Sequence, residues 1–146
     1  MTIHLLDTNV LIALAWPQHI HHASAHRWFA GAGRRGWATC PMTQIGFVRI
    51  SSNPKIIPDA VSPREALAAL ARITQLAGHH FWPDDLEPTE AKVLGSLALV
   101  GHRQVGDAYL LALAQFKKGR LTTFDRGLAT LIADPKQRDR HVLVLD

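Results

Sequence analysis

The chain has 146 residues, 47% of them hydrophobic and 19% charged, which is the size of one ordinary domain with a buried core and excludes a disordered chain. The sixteen Lys and Arg outnumber the twelve Asp and Glu, giving a net charge of +4 that suits an anionic partner such as nucleic acid, or simply a solvated basic surface. The single cysteine excludes an intramolecular disulfide, and the best apolar run, Val10–Ala15, is far shorter than the roughly 18 residues of a membrane span.

Short apolar runs with the character of β-strands recur along the chain, and helical patterns lie between them. Alternating strands and helices favour a mostly parallel sheet of about five strands with helices on both faces, an α/β fold. The predicted strands are Ile3–Leu6, Trp37–Cys40, His79–Trp82, Leu121–Phe124 and Val142–Leu145.

Two helices carry boundary signals. Ser62 begins a capping-box pattern that ends at Glu65, with Pro63 at the first helical position. A second helix is predicted over Asp107–Lys118, with Gly119 as its stop signal. We find no internal repeat or linker, so we expect residues 1–146 to form one domain, soluble and cytoplasmic, with no membrane segment.

Basic residues concentrate in two stretches of the chain. No Asp or Glu stands between Thr8 and Pro58, where Arg34 and Arg35 lie, and a second group near the C-terminus includes Lys117 and Lys118. This distribution suits contacts with the phosphates of a nucleic acid, and it is equally typical of a solvated face.

Three aspartates carry the chemical argument. Asp7 and Asp125 stand where apolar strands run out, and Asp107 begins an apolar helix. Each alone has an ordinary interpretation as a helix cap or a first-turn anion. Three carboxylates at one edge of a sheet, however, repel unless they are protonated or share a cation, and Mg²⁺ or Mn²⁺ suits oxygen ligands. With a nucleic acid as partner, the set predicts phosphodiester hydrolysis by a metal-activated water.

Three segments that carry these aspartates resemble the PIN-domain ribonucleases, most of all the VapC-type toxins of bacterial toxin–antitoxin pairs. The segment Thr43–Arg49 is similar to one VapC subgroup. The resemblance follows the order of the family over the segments Leu5–Ile12, Gly106–Ala114 and Leu121–Leu128.

The resemblance implies a three-layer PIN-like fold and an endoribonuclease that depends on Mg²⁺ or Mn²⁺. It also implies an RNA substrate, a homodimer, and a small cognate antitoxin as partner. By position, Asp7, Asp107 and Asp125 match the acidic, metal-binding site, and Thr123 matches a polar neighbour of it. Gln44 stands where many members have Glu, and it offers a carbonyl oxygen without a charge.

Other interpretations stay open. His22 and His26 have a spacing that zinc sites use, although structural or surface histidine is the more ordinary interpretation. Asp84 or Asp85 is a further candidate ligand. The start of the Asp7 motif is similar to haloacid-dehalogenase phosphatases, which need an acid where Asn9 stands. The main alternative in function is a non-catalytic PIN-like module that binds RNA or acts as a scaffold.

Overall fold

The core of the fold is a five-stranded sheet. The computed structural model describes residues 1–146, apart from the side chain of Ala91. The predicted strands are confirmed, with ends that differ by a residue, and every pairing described between them is parallel, in the order β3-β2-β1-β4-β5. The strands are β1 (His4–Leu6), β2 (Trp37–Thr39), β3 (His79–Phe81), β4 (Arg120–Thr123) and β5 (Val142–Val144).

Helices connect the strands and cover the sheet. None of those described is long and apolar enough to cross a membrane. The α-helices are α1 (Thr8–Ala15), α2 (His22–Gly31), α3 (Pro41–Ser51), α4 (Pro63–Ile73), α5 (Ala91–Leu94), α6 (Val105–Phe116) and α7 (Pro135–His141), and shorter 3-10 turns span Gly33–Arg35, His102–Gln104 and Arg126–Leu131.

Two apolar cores, one on each face of the sheet, make three layers. Since successive residues of a strand point to opposite faces, Leu5 packs into one core and Leu6 into the other. The core of Leu5 is filled mainly by α6, and the core of Leu6 by helices α1, α3 and α4. The α/β three-layer architecture expected from the sequence is therefore confirmed.

The predicted helix boundaries hold for α4 and differ in detail for α6. Oγ of Ser62 accepts a 3.1 Å hydrogen bond from the amide of Glu65, as a capping box requires. At the end of α6 the residue with left-handed backbone is Lys118, with φ 57°, rather than Gly119. Gly119 has another reason to be glycine, because a Cβ there would lie 2.6 Å from the carbonyl oxygen of Ile3.

Candidate active site

The strand order places the predicted acidic residues at one point of the sheet. The chain winds from β1 outward to β3 and then crosses over to β4 on the other side of β1, so the order reverses between β1 and β4. In open α/β sheets, ligands bind beyond the carboxyl ends of the strands at such a reversal. Asp7 directly follows β1, and Asp125 stands two residues after the end of β4.

Asp7 is buried, with 7% of its surface exposed, and both of its carboxylate oxygens accept hydrogen bonds. Oδ1 accepts from the amide of Thr8 at 2.8 Å, and Oδ2 accepts from the hydroxyl of Thr123 at 2.7 Å. Burial raises the pKa of Asp7, the two hydrogen bonds oppose this, and the charge of Asp125 raises it further. Asp7 is therefore a buried carboxylate whose orientation is fixed by two hydrogen bonds.

Asp107 lies in the first turn of α6 and is partly buried. Burial, followed by the charges of Asp7 and Asp125, raises the pKa of Asp107 from 3.8 to about 6. The two charge contributions, which are smaller than that of burial, arise because the carboxylates of Asp7 and Asp125 lie near enough to act on Asp107. The structure thus places Asp7, Asp107 and Asp125, which are separated by up to 118 residues, within range of one another's charge.

Asp125 is the exposed member of the three. Its Oδ1 accepts a 2.9 Å hydrogen bond from the amide of Gly127, so it caps the 3-10 turn Arg126–Leu131. Its own amide donates to Oγ1 of Thr123 at 3.0 Å. Thr123, predicted as a polar neighbour of the acids, thereby contacts both Asp7 and the backbone of Asp125.

Gln44 lies on α3 and is directed to a different strand. Its Nε2 donates a 3.0 Å hydrogen bond to Oγ1 of Thr39, the last residue of β2. That hydroxyl also lies 2.7 Å from Nε2 of His79 on β3. The side-chain hydrogen bond of Gln44 therefore joins it to the end of β2, which pairs with β1, the strand that Asp7 follows.

Sequence reasoning missed the role of Asn9 in the site. Its Nδ2 donates to Oγ1 of Thr123 at 3.2 Å, and its Oδ1 accepts from the amide of Phe124 at 3.3 Å. The available signal was its position two residues after Asp7, in the first turn of the helix that follows β1.

The other candidate ligands have structural partners. His22 and His26 each place a ring nitrogen 2.7–2.8 Å from a backbone carbonyl oxygen, of Ala13 and Leu14 respectively, at the end of α1. Oδ2 of Asp84 accepts from the amide of Met42 at the start of α3, and Asp85 lies 3.7 Å from the ammonium of Lys117. These contacts favour the structural interpretation of the histidines and of the acidic cluster.

The donor chemistry of the site fits a hard divalent cation. Its side chains offer carboxylate oxygens, and burial, followed by the charges of the neighbouring aspartates, raises the pKa values of Asp7 and Asp107, an effect that a bound cation would oppose. Among the described residues, no three His, Cys, Asp or Glu side chains already form a group that could hold an ion. The three carboxylates are thus neighbours, but their oxygens do not converge on one position where an ion could be coordinated.

Comparison with known proteins agrees with this fold. The sequence model of the PIN domain matches residues 4–132. Ribonuclease VapC39 from Mycobacterium tuberculosis strain H37Rv is 51% identical over 125 residues, which cover 86% of this chain and 90% of that protein. Ribonuclease VapC38 from the same strain is 47% identical over 127 residues, covering 87% and 88% of the two chains. The chain belongs to the PIN-domain family, within its VapC-type group.

Solved structures share the fold at low sequence identity. VapC20 of Mycobacterium tuberculosis, a toxin that cleaves the sarcin–ricin loop, superposes with a TM-score of 0.62 at 19% identity, covering 86% of this chain and 92% of that one. The similarity confirms the predicted PIN-like architecture.

Proposed function

We propose that this protein is an endoribonuclease of the VapC type, the toxin of a toxin–antitoxin pair, and that its RNA cleavage depends on Mg²⁺ or Mn²⁺. The observation that carries the proposal is the gathering of Asp7, Asp107 and Asp125 at the reversal between β1 and β4, where burial and mutual repulsion raise the pKa values of Asp7 and Asp107. Its VapC relatives, which are named ribonucleases, support the same reaction class.

The three aspartates would hold the cation, which when bound would polarise the scissile phosphate and activate a water. The protein's own residues prepare this site. Thr8 and Thr123 fix the carboxylate plane of Asp7, and the amide of Gly127 orients Asp125. The ionised forms of buried Asp7 and partly buried Asp107 are poorly solvated. A cation would therefore be attracted to them more strongly than to exposed carboxylates.

Two arginines stand next to the acids along the chain. Arg103 lies in the 3-10 turn that leads into α6, just before Asp107, and Arg126 directly follows Asp125. Both side chains are exposed. They would attract the RNA backbone to an acidic site that otherwise repels it.

We further propose a small antitoxin protein and a second copy of this chain as partners, and the cytoplasm as the place of action. These follow from the resemblance to VapC-type toxins.

The experiment that tests the proposed reaction is Asp107→Asn, assayed on a synthetic RNA with Mg²⁺, with Mn²⁺ and with a chelator. Asn has nearly the same volume as Asp and is tolerated at the start of a helix, so we expect the variant to fold. It has no negative charge to bind the ion, so we expect a large loss of cleavage rate. The matched control is Asp134→Asn, because Asp134 caps α7 by accepting from the amide of Lys136 at 3.2 Å. That variant should cleave like the parent.

Cleavage by Asp107→Asn at the parental rate would overturn the role of Asp107. Cleavage by the parent in the presence of chelator would overturn the metal dependence. RNA binding without cleavage in the parent would favour the alternative, a non-catalytic RNA-binding module, for which the uncharged Gln44 is the supporting observation.

A further inference from the structure

Asn9 uses both ends of its side-chain amide on the segment that carries Asp125. Nδ2 donates to Oγ1 of Thr123 at 3.2 Å, and Oδ1 accepts from the amide of Phe124 at 3.3 Å. Asn9 lies on α1, so these contacts join the helix after β1 to the loop after β4. The two halves of the acidic site are therefore tied together by one side chain.

The hydrogen bonds of Thr123 show what this contact controls. A hydroxyl has one hydrogen to donate and two lone pairs that accept. Oγ1 of Thr123 accepts from Nδ2 of Asn9 and from the amide of Asp125, at 3.2 and 3.0 Å. With both lone pairs occupied by donors, its one hydrogen is left for Oδ2 of Asp7, at 2.7 Å. Without Asn9, a lone pair becomes free and the hydroxyl can turn.

We infer that Asn9 is a positioning residue for the cation site, and that it acts through Thr123. Asn9 directs the hydroxyl of Thr123 to Asp7, and this hydrogen bond together with that from the amide of Thr8 fixes the plane of the Asp7 carboxylate. The remaining lone pairs of the Asp7 carboxylate then point in a fixed direction, in which they can bind a cation. The inference rests on the proposed function, in which Asp7 holds Mg²⁺ or Mn²⁺.

A purely structural role for Asn9 gives a different expectation. If Asn9 only anchored the loop through the amide of Phe124, its loss would loosen that amide and would act independently of the Thr123 hydroxyl. If it acts through Thr123, its effect on metal binding should disappear once the hydroxyl is gone. A double-mutant cycle separates the two, because residues in one network are non-additive.

The test measures Mn²⁺ binding by the electron paramagnetic resonance signal of free Mn²⁺, for the parent, Asn9→Ala, Thr123→Val and the double variant. Outer hydrogen-bond partners of metal ligands contribute about 10–100-fold in affinity, so we expect roughly tenfold weaker binding for each single variant. The double variant should bind no more weakly than Thr123→Val. Thr123→Ser, which keeps the hydroxyl, should bind like the parent.

The control is Asn53→Ala, because Asn53 makes a comparable side-chain hydrogen bond, accepting from the amide of Lys55 at 3.0 Å, in an exposed loop. It should leave Mn²⁺ binding unchanged. Parental affinity in Asn9→Ala, or effects of Asn9→Ala and Thr123→Val that multiply in the double variant, would overturn the inference. If Asn9→Ala does not fold, Asn9→Ser takes its place in the same cycle with the same expectations.

A second readout needs no metal and keeps this inference separate from the proposed function. The amide of Asp125 donates to Thr123, so its hydrogen exchange in metal-free protein reports how the hydroxyl is held. Asn9→Ala should speed exchange at Asp125 as well as at Phe124, whereas a loop anchor alone would speed it at Phe124 only. A parent that binds no Mn²⁺ overturns the metal in the proposed function, and the exchange at Asp125 then decides only whether Asn9 positions the hydroxyl of Thr123.

Discussion

The side-chain amide of Gln44 donates a 3.0 Å hydrogen bond to Oγ1 of Thr39 at the carboxyl end of β2. Because the same hydroxyl lies 2.7 Å from Nε2 of His79 on β3, Gln44 belongs to a polar chain on the β2–β3 side of the site. Asp7 and Asp125 follow β1 and β4. The side chain at position 44 is thus held by the end of β2.

This geometry leads to a prediction for Gln44→Glu. A glutamate at 44 could accept a hydrogen bond from Thr39, so we expect the new carboxylate to stay at β2 and to add little to the binding of a cation at the aspartates. The rise in melting temperature on adding Mn²⁺ should then be equal in the variant and the parent, because ligand stabilisation follows affinity.

The control is Gln75→Glu, which makes the same change of charge at an exposed position after α4. A larger Mn²⁺-induced shift in Gln44→Glu than in both the parent and this control would contradict the prediction, and would mean that the side chain turns to the ion.

The raised pKa of Asp107 predicts how stability depends on pH. The folded protein holds this proton up to about pH 6 and the unfolded chain only to about 3.8, so the stability from this group is fully present below pH 3.8 and is lost as pH rises through about 6. After a discount for partial exposure to solvent, the expected loss is roughly 1–2 kcal/mol.

Urea unfolding of the parent and Asp107→Asn, without divalent cations, measures this loss. The free energy of unfolding of the parent, relative to that of Asp107→Asn, should be lower at pH 7.5 than at pH 4. The difference between the proteins is the quantity to use, because burial lowers the pKa of His4 to about 4 and makes that group act in the opposite direction in both. A difference independent of pH would contradict the raised pKa of Asp107.

The packing of α3 against α1 beside Asp7 predicts the effect of Gly46→Ala. A Cβ at 46 would lie 2.8 Å from Oγ1 and 3.2 Å from Cγ2 of Thr8, the residue that follows Asp7. Thr has few χ1 rotamers, so its side chain cannot easily move away, and we expect overpacking to lower the free energy of unfolding by about 1–3 kcal/mol. The higher helix propensity of Ala offsets ~1 kcal/mol of this, so the net effect should be destabilising.

Gly31→Ala is the matched control, because a Cβ at Gly31, the last residue of α2, would meet nothing within 4 Å. It should be neutral or slightly stabilising in the same denaturant experiment. A Gly46→Ala protein as stable as the parent would show that Thr8 can turn away without cost.

Local patterns predicted the strands and the aspartates at their ends, because both are written in short stretches of sequence. The relationship of Asn9 to Thr123 spans 114 residues and exists only because β1 pairs with β4. Likewise, the contact between His79 and the hydroxyl of Thr39, which Gln44 binds, spans 40 residues and exists only because β2 pairs with β3. Contacts of this kind follow from strand order and helix packing, which a single sequence does not display.

Strand order also changes the expected surface for RNA. Arg34 and Arg35 lie in the turn that leads into β2, and Lys117 and Lys118 lie between α6 and β4. In a parallel sheet, segments that precede strands lie at the amino edge, whereas the three aspartates are at the carboxyl edge.

We therefore expect RNA binding to depend on Arg103 and Arg126, the arginines near the acids along the chain. In an Asp107→Asn background, in which we expect no cleavage, Arg103→Ala with Arg126→Ala should flatten the plot of log affinity against log salt by roughly 0.7 for each lost phosphate contact. Arg34→Ala with Arg35→Ala removes the same charge at the amino edge and should leave the slope unchanged, as should the further loss of Lys117 and Lys118.

Affinities for a short single-stranded RNA, measured by fluorescence anisotropy between low and high salt, give both slopes. Flattening by the amino-edge pair alone would place the RNA on that edge, away from Asp7, Asp107 and Asp125, and would argue against their acting on it.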